Sequence, residues 1–73
     1  MARIAALGPT EAVQGFALAG ALVLPAADAG AFDRAFDALP DDVGVLVLTA
    51  NAAHALQGRL PERPRLLPVV IPE

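Results

Sequence analysis

Apolar residues fall along this chain in short unbroken runs, and between the runs they recur at helical spacing. The longest run, Val43-Gly44-Val45-Leu46-Val47-Leu48, leaves neither face of a strand for water. Such a segment belongs inside a parallel sheet covered on both sides by helices. Arg3-Ile4-Ala5-Ala6-Leu7 reads as a shorter first strand, punctuated by Gly8-Pro9-Thr10, and Ala21-Leu22-Val23-Leu24 as a second, closed by Pro25. Leu66-Leu67-Pro68-Val69-Val70-Ile71 reads as the last strand. Pro68 lacks a backbone N–H for a ladder bond, which sends this strand to a sheet edge.

Three helices fill the intervals. Thr10 is expected to cap the first through its hydroxyl, with Glu11 placed where the helix dipole favours a negative charge. Val13, Phe16, Ala17 and Gly20 then stand at i, i+3, i+4 and i+7, one apolar face with a glycine stop. Gly15 inside that helix costs roughly 1 kcal/mol against alanine, which predicts a close backbone approach there. Asp28 caps a second helix whose buried stripe is Phe32, Ala35, Phe36 and Leu39, with Asp33, Arg34 and Asp37 facing water; Pro40 and Asp41-Asp42 end it. Thr49 or Asn51 caps the third, with Ala52, Leu56 and Leu60 inward and Gly58 and Pro61 limiting its length. The order β-α-β-α-β-α-β with right-handed crossovers predicts a small, flavodoxin-like, three-layer α/β sandwich: a four-stranded parallel sheet in the order 2-1-3-4, with residues 1–73 as one globular domain.

Composition narrows the function classes. At 73 residues a domain is near the lower end of what folds alone, so a partner or self-association is expected to supply part of the stability. The absence of cysteine removes disulfides, zinc ribbons and thiolate chemistry and suits a cytoplasmic location. A net charge of -3 argues against nucleic acid, and Phe16, Phe32 and Phe36, the three aromatic residues, sit in apolar patterns rather than on a stacking platform. The apolar stretch from Gly15 to Ala27 is interrupted by Gly20 and Pro25 and is shorter than the ~20 residues a spanning helix needs, so no direct membrane insertion is expected. A secretion signal ending at Ala26-Ala27-Asp28-Ala29 is disfavoured by Glu11.

Candidate chemistry is sparse. In a sheet of this order ligands bind beyond the carboxyl ends of the first and third strands, where Gly8, Pro9, Thr10, Glu11, Thr49, Ala50 and Asn51 fall. One glycine without a phosphate-loop pattern reads as a turn and two helix caps. A phosphorelay receiver would need acidic residues where Gly8-Pro9 stand and a lysine, which the chain lacks. Serine is also absent, which excludes a Ser-His-Asp nucleophile. His54 is the single histidine and has no converging partner on its helix, and Asp33 with Asp37 and Asp41 with Asp42 read as solvated charge rather than metal ligands. No catalytic, cofactor-binding or metal-binding residue is therefore assigned, and no cofactor is expected.

Beyond chemistry, particular segments carry a likeness. Met1-Ala2-Arg3-Ile4-Ala5-Ala6-Leu7-Gly8 followed by Gly15-Phe16-Ala17-Leu18-Ala19-Gly20 resembles the F subunit of the V-type (A/V-type) ATPase and ATP synthase, whose members open on a strand ending in Ile-Gly and then carry a Gly-Phe-x-Leu-Ala-Gly signature. Val43 to Thr49 is similar to its central strand, and Leu67-Pro68-Val69-Val70-Ile71-Pro72 to the end of its globular part. The resemblance implies a non-catalytic component of the central rotary stalk, bound to the coiled-coil D subunit of the rotor and peripheral to the membrane on the cytoplasmic side. It assigns no partner-binding residue, and Phe16 is read as core. Family members carry an aspartate after the first glycine where this chain has Pro9, and they continue into a C-terminal stalk helix, absent from a chain ending at Glu73. Two other readings stand beside it. One is a ligand-binding module using Thr10, Asn51 and helix amides. The other is a self-associating domain that pairs through an exposed edge at the second or fourth strand or through apolar surface left uncovered.

Overall fold

The computed structural model describes residues 3–72, so the opening Met1-Ala2 and the final Glu73 lie outside the described residues. Strands β1 (Arg3–Gly8), β2 (Leu22–Pro25), β3 (Val43–Thr49) and β4 (Leu67–Ile71) form one all-parallel sheet in the order β2-β1-β3-β4, as the crossover rule predicts. The sheet is pinned by its central pair. Ala5, Ala6 and Leu7 of β1 lie opposite Leu46, Val47 and Leu48 of β3, and of these only Val47 retains any access to water.

Alternation along the strands separates two faces. Ala5 and Leu7, Leu22 and Leu24, and Leu46 and Leu48 point to one side, where α2 (Ala29–Asp37) and α3 (Ala50–Leu56) cover them. Phe32, Phe36 and Leu39 supply the centre of that layer, as their spacing predicts, and Leu56 closes it from α3. Fully burying a side chain of this size contributes about 1.5–3 kcal/mol, so this larger cluster carries most of the stability. Ala6, Val23, Val47 and Ile71 point to the other side, where a smaller cluster forms around Val13 and Phe16.

The helix caps follow from local chemistry, with one correction. Asp28, in extended backbone, accepts the Ala31 N–H at 2.8 Å and starts α2 as expected. Asp28→Ala is expected to cost about 1 kcal/mol and Asp28→Asn only a fraction of that, which urea denaturation midpoints would separate. Thr49 starts α3 in the same way, its buried Oγ1 accepting the Ala52 N–H at 3.4 Å. Thr10, by contrast, does not cap α1 (Thr10–Val13). Only one residue separates β1 from this helix, so Pro9 takes the cap position and its carbonyl accepts the N–H groups of Ala12 and Val13, while Thr10 is already helical and exposed.

The first helix is also shorter than its apolar pattern implies. After Val13 the chain tightens into a 3-10 segment, Gln14–Ala19. With three residues per turn only positions three apart share a side, so Val13 and Phe16 reach the sheet while Ala17 and Gly20 are exposed. Gly15 faces open space, so it permits no close approach. Gly20 stops the segment as expected: at φ 87° it lets its own N–H reach the Ala17 carbonyl and the Ala21 N–H reach that of Phe16, a paired closure that favours glycine.

Candidate interaction site

The carboxyl ends of β1 and β3, where this topology places ligands, are occupied by the protein itself. The Gly8 carbonyl accepts the Ala26 N–H at 2.8 Å, and Thr49 is fully buried with its hydroxyl committed to α3. A side-chain carbon at Gly8 would stand 2.8 Å from Thr49 Cγ2 and 3.3 Å from Val13 Cγ1, which shows how little space separates the two strand ends from α1. Thr10, Glu11, Ala50 and Asn51 are exposed at the rim. The seven residues named from sequence are thus brought together, and they form a turn and two helix starts.

A cavity of about 320 Å³ lies at the opposite end of the sheet, lined by Asp41, Val43, Glu62, Arg63, Pro64, Arg65 and Leu66. Its wall is structural. Arg63 donates from Nη2 to the Leu39 carbonyl at 2.7 Å and from Nη1 to that of Pro40 at 3.3 Å, tying the loop before β3 to the turn before β4. Acidic and basic groups alternate around it.

The acidic pairs are likewise explained by structure, through a residue that the sequence left unassigned. Arg59 lies over the Phe36 ring at 4.8 Å and forms ion pairs with Asp33, Asp37 and Glu62, which locks α2 to the turn after α3. The hydrogen bonds that Arg59 donates to Glu62 and Asp37 raise the guanidinium pKa above an already high value. A raised pKa contributes stability below the unfolded pKa and loses it only as pH climbs through the folded one. Both values lie above the working range, so Arg59 itself brings no pH dependence there. Salt is the lever instead: Arg59→Gln is expected to lower the melting temperature most at low ionic strength and least in 1 M salt, a convergence that thermal scans would detect. Asp42 pairs with Arg3 at 3.4 Å between exposed side chains, a contact of little energetic weight. His54 is exposed on α3, and among the described residues no cluster of histidine and carboxylates is arranged to hold a metal ion.

What the molecule does offer is surface. On the second sheet face, α1 and the 3-10 segment lie over β1 and β2, Val13 and Phe16 pack in one cluster with Val45, Val47 and Ile71, and Ile4 with the edge residues Leu67 and Val69 is left open. Ile4, Val45 and Leu67 form one row across three strands, and Val69 follows Leu67 on the same face. Ile4 is 48% exposed, Leu67 59% and Val69 41%, and on the opposite face of β4 Val70 is exposed as well, as befits a strand at the sheet edge. Parallel sheets are ordinarily covered on both faces, and here the cover stops short of β4 and the start of β1. Leu18 stands 94% exposed on the neighbouring 3-10 segment, and β4 itself is an open sheet edge. Periodicity could not single out this region, because its residues are the same apolar types that fill the core.

Fold and surface together define a small α/β domain whose prominent exposed feature is an apolar sheet face. The sequence model of the family described as ATP synthase (F/14-kDa) subunit matches residues 4–72, and the chain belongs to that family. No curated protein matches the chain. Membership makes it a component of an ATP synthase complex and implies partner subunits. No helix among the described residues is long and apolar enough to cross a membrane.

Proposed function

We propose that this chain is a non-catalytic central-stalk component of a V-type ATPase or ATP synthase, peripheral on the cytoplasmic side, and that its bare sheet face receives the coiled-coil rotor subunit. Family membership over residues 4–72 carries the reading. It is supported by the exposed Ile4, Leu67 and Val69, by a strand-end crevice filled with helix starts, and by the family likeness of Gly15 to Gly20. A coiled coil suits such a face. Its helix is about 10–12 Å across, the width of two strands spaced ~4.8 Å apart with their side chains, and it brings an apolar stripe of its own.

In this role the domain contributes shape and contact, with its binding energy drawn from apolar burial rather than from chemistry at a site. The test is to tag the chain in its native host and recover what it holds. Stoichiometric recovery of the catalytic and rotor subunits is expected. A chain recovered alone from cells that contain the assembled complex would contradict the reading.

A further inference from the structure

β4 lies at an edge but has the composition of an interior strand. Leu67 and Val69 on one face and Val70 on the other are all exposed, and the strand carries no charge. An apolar edge of this kind is a template for pairing with another chain unless something blocks it.

The ladder shows what does. Along a strand the N–H and C=O of one residue point to the same side, and those of the next residue to the other. The β3–β4 register runs without a shift through Pro68, which has no N–H, so Pro68 faces away from β3 and its neighbours Leu67 and Val69 make the bonds. Val70 therefore faces outward as well, and Pro72 is the next position in step. At the near end the Leu66 N–H is held by the Arg63 carbonyl at 3.0 Å. Among the described residues of this edge, Val70 is left as the outward donor. The other edge of the sheet has the same layout. The Ala26 N–H reaches the Gly8 carbonyl of β1, so Val23 and Pro25 of β2 face outward, and one step earlier the Ala21 N–H is taken by the Phe16 carbonyl at 3.1 Å.

We propose that Pro68 guards the β4 edge against pairing with the β4 of a second copy, so that this chain meets other chains through side chains on its faces and not by extension of its sheet. Two β4 strands related by a two-fold axis at Val69 run antiparallel, with position 68 opposite position 70 of the mate. Residues so placed ordinarily exchange both N–H···O bonds. With proline at 68 each copy contributes only the Val70 N–H, and the ring stands where the missing N–H would lie. The Val70 carbonyl then loses water without gaining a donor, which offsets the apolar gain around it. Moving the axis to Pro68 or to Val70 brings in no other donor.

Sedimentation equilibrium of the isolated chain, over a concentration series to about 1 mM and with hydrogen exchange followed at the Val70 amide, tests this. No other subunit is present, so the result is independent of the stalk assignment. Pro68→Ala gives each copy a second outward donor and is expected to tighten self-association about thirtyfold or more. Its mass should rise towards two copies and its Val70 amide become protected with concentration. Circular dichroism should not change, since position 68 makes no ladder bond in its own sheet. Adding Val70→Pro to Pro68→Ala is expected to return association to the wild-type level, because each copy again contributes one donor. Association of Pro68→Ala no tighter than wild type would overturn the proposal. So would a gain that persists in the double variant, or a wild-type Val70 amide that becomes protected as concentration rises. If Pro68→Ala loses the native spectrum, Pro68→Thr makes the same comparison with a better strand former.

Discussion

Phe36→Ala is expected to abolish cooperative folding. Phe36 is 1% exposed, packs in the larger core cluster under β1 and β3, and carries both Arg59 and Arg63 over its ring, at 4.8 and 5.6 Å. Truncating a buried phenylalanine costs about 3–5 kcal/mol. At roughly 0.05–0.15 kcal/mol per residue, a domain of this size holds only about 4–11 kcal/mol in total. The loss also unseats the two arginines that tie α2 to the segment before β4. Urea titration followed by circular dichroism should show a broad or absent transition, and Phe36→Leu, which refills most of the volume, should restore a cooperative one at a lower midpoint. A midpoint within error of wild type for Phe36→Ala would place the stability elsewhere than in this cluster.

Gly8→Ala is expected to be the second most damaging change, by a different route. The added carbon would lie 2.8 Å from Thr49 Cγ2, and Thr49 is a short branched residue with no access to water and no alternative space. Pushing it aside strains the β1–β3 pair and pulls Oγ1 from the Ala52 N–H, so overpacking and a lost helix cap add at one position. A cost of about 2–4 kcal/mol follows. The companion variant Thr49→Ser removes the clashing methyl and keeps the hydroxyl. In that background Gly8→Ala should cost distinctly less, and a double-mutant cycle would read the difference as coupling between the two residues. Additive effects would show that Gly8 is required for some reason other than its nearness to Thr49.

How far the sequence could be read depended on how local each determinant was. The β3 run and the Asp28 and Thr49 caps depend on residues adjacent in sequence, and the parallel order follows from connection handedness, so these emerged directly. The Phe32, Ala35, Phe36 and Leu39 stripe did as well, because it repeats along a single helix. The first helix went astray for a geometric reason: Val13, Phe16, Ala17 and Gly20 fit an α-helical face equally well, and only the 3-10 tightening after Val13 decides that Ala17 turns outward.

Arg59 illustrates what lies beyond local reading. Its i+3 partner Glu62 is visible in sequence, and Asp33 and Asp37 are visibly one stripe, but their meeting depends on how α2 packs against the turn after α3. The face proposed for interaction was hidden more deeply still. Leu67 and Val69 read as strand residues in any register, and their exposure follows from the place of β4 at the sheet edge, a property of the whole layer. Family-like residues Gly15 to Gly20 pointed to an assembly component, yet within them Leu18 emerges as surface and Phe16 as cover for the sheet.

The most direct test of the account is methyl-resolved NMR of the labelled chain titrated with the coiled-coil rotor subunit of the same complex. Shifts are expected in Leu18, Ile4, Leu67 and Val69, with the methyl of Thr10 and those of Leu24 and Leu56 unmoved. Shifts confined to Thr10 and the neighbouring strand ends, or no shift at saturating rotor subunit, would contradict the assignment of the bare sheet face as the place where this chain meets its stalk.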